Sequence, residues 1–523
     1  MDKRFNITGI CLPDRHYMVD ISDRVRQIRK MVDDNEYFCI NRGRQYGKTT
    51  TLHALKKALA NDYEVYSISF EGMAESQFES VESLAYTFLR RLRSEMVSEA
   101  TENVPSPIYS QLQSMIADSK SDKKIDIDDL DDFITDLCKS SQNKIVLMID
   151  EVDQASNYKS FLEFLGLLRK KYLARAQNPT FQSVILAGVY DIKNLKLKIR
   201  PDAEHQYTSP WNIAANFDVD MSFNVADVEG MLHEYEKDHH TGMDIHAIAQ
   251  WIIDYTSGYP FLVSKICKTI DEKNLGWNHE GIVIAVKQLL YERNTFFDDI
   301  NKKLDDFPDM RQTLKEILYL GERVQYNAYK KSYQIATMFN YIINDNGAIK
   351  ISSRILETWL YELFYVEDGK STELATYAGF DKNQFIENGH LNIEKIMQRF
   401  IVHFQDIYGD RDAKFVENEG RKYFMFYIKP IINGVGNYYI ESRTRDNLRT
   451  DMIIDYLGHQ YIIEMKIWRG DSYNKRGEQQ LLEYLDAYHL DKGYMMSFCF
   501  NKNKQPGTHA VRIGNREIIE GIV

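Results

Sequence analysis

The chain has 523 residues, 44% of them apolar, and a formal net charge of -12 at pH 7. That length supports two to four domains with cores of their own, and the acidity excludes a generally basic coat for nucleic acid. No stretch approaches the roughly 20 uninterrupted apolar residues of a membrane-spanning helix, and no basic leader precedes an apolar core, so a cytoplasmic protein with no membrane partner is expected. Cys11, Cys39, Cys138, Cys267 and Cys499 form no C-x-x-C pair and indicate neither a zinc site nor a disulfide framework. The negative excess lies upstream of residue 401: residues 401–523 carry 17 Lys+Arg and 17 Asp+Glu, which leaves room there for a local stripe against phosphates.

From Tyr37 to Ile270, short β-branched or aromatic runs alternate with helical patterns: YFCIN, TLHALKKALA, EVYSISF, KIVLMID and SVILAG. Such alternation predicts a parallel α/β sheet. Between the first strand and the first of these helices lies R-G-R-Q-Y-G-K-T-T, residues 42–50, in the context a P-loop requires. A triphosphate needs converging backbone N–H groups, a helix N-terminus beneath it and a lysine on its outer phosphates. Arg44, Gln45, Tyr46 and Gly47 form the loop, Lys48 brings the charge, Thr49 offers its hydroxyl to Mg²⁺, and Thr50 begins the helix. The usual pattern is G-x-x-x-x-G-K-[ST]; here Arg42 stands where the first glycine belongs, and Gly43 comes one place late.

The acids Asp126, Asp128, Asp129, Asp131 and Asp132 lack the glycine and terminal glutamate of a calcium loop and fit a solvated helix start. Residues 144–153, K-I-V-L-M-I-D-E-V-D, read as a buried central strand delivering carboxylates at its C-terminal edge, with Asp150 for Mg²⁺ and Glu151 to activate water. Alone, this would be a strand and an acidic turn; about a hundred residues after a P-loop, it is its partner. SVILAG ends at Gly188 and Tyr190, a location suited to a γ-phosphate sensor.

Together NITGICLPDRHYMVD, YFCINRGRQYGKTTTL, LMIDEVD and SGYPFLV resemble the bacterial AAA-like ATPase family related to the STAND NTPases, over residues 5–270. In that family Pro-Arg-Gln or Pro-Arg-Arg often precedes Gly-Lys-Ser/Thr, which Arg44 and Gln45 fit. The resemblance implies that Gly258 and Pro260 lie near the nucleotide, or else only cap a helix. It also offers His16 and Tyr17 as packing on the base, the plain alternative being core packing.

Residues 275–370 turn mostly helical, with MRQTLKEILYLG and RILETWLYELF, and residues 366–385 read as a connection. Strand patterns return in YFMFYIKPII, NYYIES, DMIIDY and QYIIEMKIW. A hairpin turning at Gly458 and His459 sets Asp451 opposite Lys466 and Ile453 opposite Glu464, so Asp451, Glu464 and Lys466 share one face. Two carboxylates can hold Mg²⁺ on a phosphodiester while the lysine positions or deprotonates water, with the Met465 carbonyl a further ligand; the alternative is a cross-strand salt bridge. Over residues 395–523 this segment resembles the PD-(D/E)XK nuclease superfamily: Asp451, E-M-K at 464–466, then G-E-Q-Q-L-L-E-Y-L-D at 477–486. The resemblance implies a glutamine near the metal, Gln480 rather than Gln479, and an acid from the first helix, Glu417 before Glu419, with Glu441 in reserve.

The expected architecture is multidomain α/β: an AAA-like P-loop domain with a parallel sheet over 1–272, a helical or winged-helix domain over 273–370, a connection over 371–394, and an α/β restriction-endonuclease-like domain over 395–523. The expected cofactors are ATP and Mg²⁺, with Mn²⁺ an alternative in the nuclease site. The expected partners are nucleic acid, DNA before RNA, and further copies of the chain. The expected function is an ATPase controlling a metal-dependent nuclease, in defence against foreign DNA. One rival is a regulatory NTPase whose C-terminal domain binds without cutting. The other, a pure interaction protein, is opposed by the presence of every expected site residue.

Overall fold

The computed structural model describes residues 3–99, 107–119, 124–189, 192, 210–320, 325–368, 378, 384–408, 417–432, 436–443, 449–467, 471–499 and 505–523. They fall into two compact units: Met1–Tyr235 with Tyr259–Ser264 and Met338–Asn340, and Glu236–Gly258 with Lys265–Thr337 and Tyr341–Val523. The helix Ile245–Thr256, placed by the sequence with the P-loop domain, thus groups with the second unit.

In the first unit β1 (Phe38–Asn41), β2 (Glu64–Ser69), β3 (Ile145–Asp150) and β4 (Ser183–Gly188) form a parallel sheet in the order β1-β4-β3-β2. Every residue of β3 and β4 is buried, the state for which an uninterrupted apolar run is suited. Helices α1 (Val81–Glu99), α2 (Ile127–Ser140) and α3 (Lys159–Leu173) supply Phe88, Phe133, Phe161 and Phe164 to the core, each worth about 1.5–3 kcal/mol of apolar burial. Parallel pairing of Asn41 with Gly188 and of Ser69 with Asp150 brings the C-terminal ends of all four strands to one edge. At that edge a parallel sheet places its ligand.

The acidic run at 126–132 is a helix start. Asp126 accepts from Asp128 N and Asp129 N at 2.9 and 2.8 Å, Asp129 returns a bond from Asp126 N, and Asp131 is ion-paired with Lys170 and Lys171.

In the second unit the helices His279–Tyr291, Thr295–Asp306, Pro308–Leu320 and Lys331–Met338 precede an antiparallel hairpin, Ile342–Asp345 with Ala348–Ile351, and the helix Arg354–Asp368. Beyond it, β5 (Gly436–Arg443), β6 (Arg449–Tyr456), β7 (His459–Ile467), β8 (Lys492–Phe498), β9 (Gly507–Ile513) and β10 (Arg516–Ile522) form a mixed sheet in the order β5-β6-β7-β8-β10-β9. The helix Asp471–Tyr488 crosses between the parallel strands β7 and β8 on the face of Lys466 and Met495: a Cβ at its Gly477 would lie 3.2 Å from Met495 Sδ.

Two expectations change here. YFMFYIKPII is not a strand: it lies in the helix Glu417–Ile432, with Phe424 to Ile428, Ile431 and Ile432 all buried. A helix buried nearly all round has no apolar stripe, so its short aromatic run reads as a strand. The β6–β7 turn is Leu457–Gly458, not Gly458–His459, because Tyr456 pairs with His459. Both turn residues have positive φ, 50° and 82°, as a two-residue turn matched to strand twist requires, and an unexpected leucine accepts that conformation. The register therefore shifts by two, setting position 451 opposite Glu464 rather than Lys466; positions 451, 464 and 466 still share a face, since the shift is even.

Asp455, 2% exposed on β6, accepts from the Tyr255 hydroxyl at 2.7 Å through Oδ2, while its Oδ1 has no hydrogen-bond partner among the described residues. Tyr255→Phe removes that donor from a buried carboxylate and is expected to cost about 2–3 kcal/mol, read from the denaturation midpoint. Asp455→Leu in the Tyr255→Phe background should recover most of it. An unshifted midpoint in Tyr255→Phe would mean that this hydrogen bond contributes nothing to stability.

Among the described residues no helix is long and apolar enough to cross a membrane.

Candidate functional site

The loop at residues 42–47 leaves β1 and enters the helix Lys48–Leu59 through Gly47, whose φ of 80° suits glycine. Arg42, where the motif's first glycine was missing, is turned aside. Its guanidinium donates to Val219 O at 2.7 Å and to Asn41 O at 2.9 Å and lies over the Phe217 ring, while burial lowers its pKa. The loop thus closes without a first glycine because that side chain is housed elsewhere. Lys48 is 6% exposed, and its Nζ donates to Arg42 O and Gly43 O, both at 3.0 Å. Burial lowers its pKa, against the raising influence of Asp153, Glu151 and Asp150. The first-turn N–H groups above Gly47 and this ammonium together make an anion site.

Thr49 Oγ1 donates to Asp150 Oδ2 at 2.8 Å, so the hydroxyl at the head of the helix and the carboxylate at the end of β3 meet as the sequence expects. A hydroxyl and a buried carboxylate are hard oxygen donors and fit Mg²⁺. Glu151 follows in the left-handed region at φ 54°, and burial raises its carboxyl pKa despite nearby Lys48. Thr50 turns away from the loop: its Oγ1 accepts from Cys11 N at 3.2 Å, tying down the N-terminal segment.

A cavity of about 720 Å³ flanks the same helix, lined by Met18, Val19 and Ile21 on one side and Thr50, His53 and Ala54 on the other. His16 and Tyr17 do not line it. His16 Nδ1 accepts from Leu12 N at 2.9 Å, and the Tyr17 ring packs on Phe5 and Tyr235, so the plain packing reading holds for both.

Three residues here escaped the sequence reading. Tyr259, between Gly258 and Pro260, donates its hydroxyl to Arg44 O and packs edge-on to Tyr46 at 4.6 Å. Asn340 donates to the Tyr46 hydroxyl at 3.3 Å, and burial pushes that phenol up to about 12. Asp153, third acid of D-E-V-D, accepts from Val189 N at 2.6 Å, joining the carboxylate turn to the end of β4. Ser257 and Gly258, both left-handed, cap the preceding helix, so the capping alternative for that segment is also met. The other expected sensor position, Tyr190, lies outside the described residues.

Gly188 is required by close approach: a Cβ there would stand 2.9 Å from Val152 Cγ2 and 3.0 Å from Asp153 Oδ1. Gly188→Ala is expected to lower stability by about 1–3 kcal/mol, read as a lower melting temperature, because Val152 is buried and cannot yield. An unchanged melting temperature would show that the turn is plastic.

In the second unit Glu464 and Lys466 lie on one face of β7, with Lys466 Nζ 2.7 Å from Glu464 Oε1 and 3.5 Å from Gln480 Oε1. Glu464 is wholly buried and the Lys466 side chain 15% exposed. Gln480 also donates to the Tyr484 hydroxyl, while Gln479 is exposed. Met465 is buried in β7, paired with Met496. The backbones of Asp451, Glu417 and Glu441 lie in β6, the helix Glu417–Ile432 and β5; their side chains are outside the described residues. Among the described residues no three His, Cys, Asp or Glu side chains form a metal-holding group. On the same face the sequence reading missed a further polar row: Ser497 Oγ donates to Glu520 Oε1 at 2.9 Å, and His509 Nε2 lies 3.1 Å from Glu520 Oε2.

Comparison with solved structures finds a Walker-type ATPase of Pyrococcus abyssi at 14% identity, covering 68% of this chain and 99% of that one, with a TM-score of 0.49. The ORC2 protein of Aeropyrum pernix matches at 11% identity over 69% of this chain and 96% of that one, TM-score 0.38. The ORC1 protein of Aeropyrum pernix, solved in complex with DNA, matches at 10% identity over 68% and 96%, TM-score 0.31. No curated protein matches the chain. The family model described as AAA-like domain matches residues 23–350, a span that holds the phosphate loop, the Thr49–Asp150 pair and Tyr259. The chain therefore belongs to the AAA-like domain family of P-loop ATPases.

Proposed function

We propose that the protein is a Mg²⁺-dependent ATPase whose nucleotide state governs a metal-dependent nuclease in its C-terminal sheet, acting on DNA in the cytoplasm in defence against foreign DNA. The observation that carries this reading is the wholly buried Glu464 paired with Lys466, in a chain whose P-loop sets Thr49 on Asp150. A buried ion pair is often no more stabilising than apolar residues of the same size, so stability alone does not account for this pair.

In the ATPase, Lys48 and the helix N-terminus bind the outer phosphates, the cavity beside His53 seats the base, and Thr49 and Asp150 would hold Mg²⁺. The ion supplies charge neutralisation at the phosphates. Glu151 orients water and takes its proton. Its raised pKa makes it the stronger base, and hydrolysis should fall as pH drops through that pKa, above the range of a free glutamate. Glu151→Gln should retain ATP but lose about 10²–10⁴-fold in turnover and lose this acid limb, measured as phosphate release against pH. Full turnover in the variant would move the base elsewhere.

In the second unit we assign 273–370 as a winged-helix domain and 395–523 as a restriction-endonuclease-like domain. Asp451 and Glu464, with Glu417 and the Met465 carbonyl as further ligands, would hold Mg²⁺ or Mn²⁺, which polarises the phosphodiester. Lys466 holds the attacking water, and Gln480 positions Lys466. The test is incubation with supercoiled and linear DNA and either metal, with and without ATP. Cleavage that ATP modulates supports the reading.

The rival is a sheet that binds DNA without cutting, with Lys466 on Glu464 as a structural ion pair. DNA retained in EDTA and never cut with metal present would select it.

A further inference from the structure

We propose that a cleft in the second unit is a binding site for a nucleoside monophosphate unit, distinct from the P-loop. The cleft has a volume of about 460 Å³ and is enclosed by the helices Ile245–Thr256 and Arg354–Asp368, the start of the helix at His279, the β6–β7 turn, His390 and residues 488–490. This is a size that holds a small ligand.

Its lining is unusual in chemistry. His279, His390, His459 and His489 all face it, and among the described residues none of the four side chains makes a hydrogen bond or ion pair. His390 and His459 stack with centroids 3.9 Å apart, and His279 meets the Trp251 ring edge-on at 5.0 Å. Each imidazole carries an N–H donor whatever its tautomer, so the rim offers four donors to an oxyanion. A base finds flat partners in the Trp251 and imidazole rings, because stacking needs only a π-face.

The floor supplies a fixed charge. Arg354 is buried, donates from Nη2 to the Tyr488 hydroxyl at 2.9 Å and lies 5.9 Å from the centre of the Tyr255 ring. Asp254 also lines the cleft and its charge acts on the guanidinium, while the imidazoles stand at the rim. Among the described residues no three His, Cys, Asp or Glu side chains are grouped to hold a metal ion, whereas the imidazole N–H groups at the rim can each reach an oxygen of a phosphate. Rings for a base and donors for a phosphate together specify a nucleotide.

The unit could come from a free mononucleotide or from the 5′-phosphorylated end of an oligonucleotide, and the arms of the test separate these. Full-length Lys48→Ala protein, with its P-loop disabled, is titrated by calorimetry with AMP, adenosine, inorganic phosphate and a 5′-phosphorylated tetradeoxynucleotide. Saturable binding of AMP or of the tetranucleotide is expected, at least tenfold weaker for adenosine and for phosphate alone. The tighter of the first two names the source. His390→Ala/His459→Ala, at exposed positions that leave the fold intact, should weaken that binding tenfold or more, and Arg354→Lys should do the same if it folds. Absence of AMP and tetranucleotide binding overturns the proposal, as does binding that His390→Ala/His459→Ala leaves unchanged.

Discussion

Lys48→Ala is expected to bind ATP about a hundredfold more weakly, because a charge-assisted bond to the phosphates contributes about 3 kcal/mol. The ammonium donates to two loop carbonyls, Arg42 O and Gly43 O, at 3.0 Å each, on a residue 6% exposed. Alanine removes a buried charge and leaves two carbonyls short of a donor, opposing effects of similar size, so the melting temperature should move little. Fluorescent-nucleotide titration set against thermal unfolding separates the two. A variant that still binds ATP normally would show that the loop N–H groups suffice, and one that unfolds would show the lysine to be a structural staple. Lys48→Arg should fare no better than alanine: a guanidinium is too broad for a position that touches two carbonyls one residue apart.

The first unit was largely legible because its elements obey one rule each. The runs IVLMID and SVILAG are apolar without a break since both faces of β3 and β4 are covered, and the acids begin where β3 ends. The meeting of Thr49 with Asp150 followed from that pattern taken together with the P-loop. Tyr259 did not, because its bond to Arg44 O spans more than two hundred residues and leaves no local trace; only its flanking glycine and proline marked the segment. Arg42 looked like a defect for the same reason, its acceptor at Val219 lying far along the chain.

In the second unit the failures are local and instructive. YFMFYIKPII carries strand-forming residues into a helix, as tertiary burial on all sides overrides propensity. The β6–β7 turn was misplaced by one residue, since Gly458 suits either half of a two-residue turn and leucine is rarely left-handed. Side-chain alternation protected the site from that error: moving the turn by one residue shifts the register by two, and period 2 returns the same face. Ser497, Glu520 and His509 went unread because their contacts join three strands that no motif links.

Lys466→Ala is expected to lower DNA cleavage by about 10²–10³-fold, the scale on which a donor aimed at developing charge contributes. The same change strips Glu464, wholly buried, of its cation, and truncating one partner of a buried pair costs about 3–5 kcal/mol. Lost cleavage alone would therefore not separate chemistry from stability. Glu464→Gln/Lys466→Met removes both charges at nearly constant volume and should return the melting temperature close to that of the parent, with cleavage still absent. Gln480→Ala, which removes the side chain that meets the lysine and donates to Tyr484, should cost about 10–100-fold with the fold intact, as a positioning residue would. Cleavage that survives in the neutral double variant would place the active site elsewhere in the chain and return Glu464 and Lys466 to a structural ion pair. Cleavage lost in the double variant while its melting temperature matches the parent would assign the chemistry to this face of β7, since only the two charges would then distinguish the proteins.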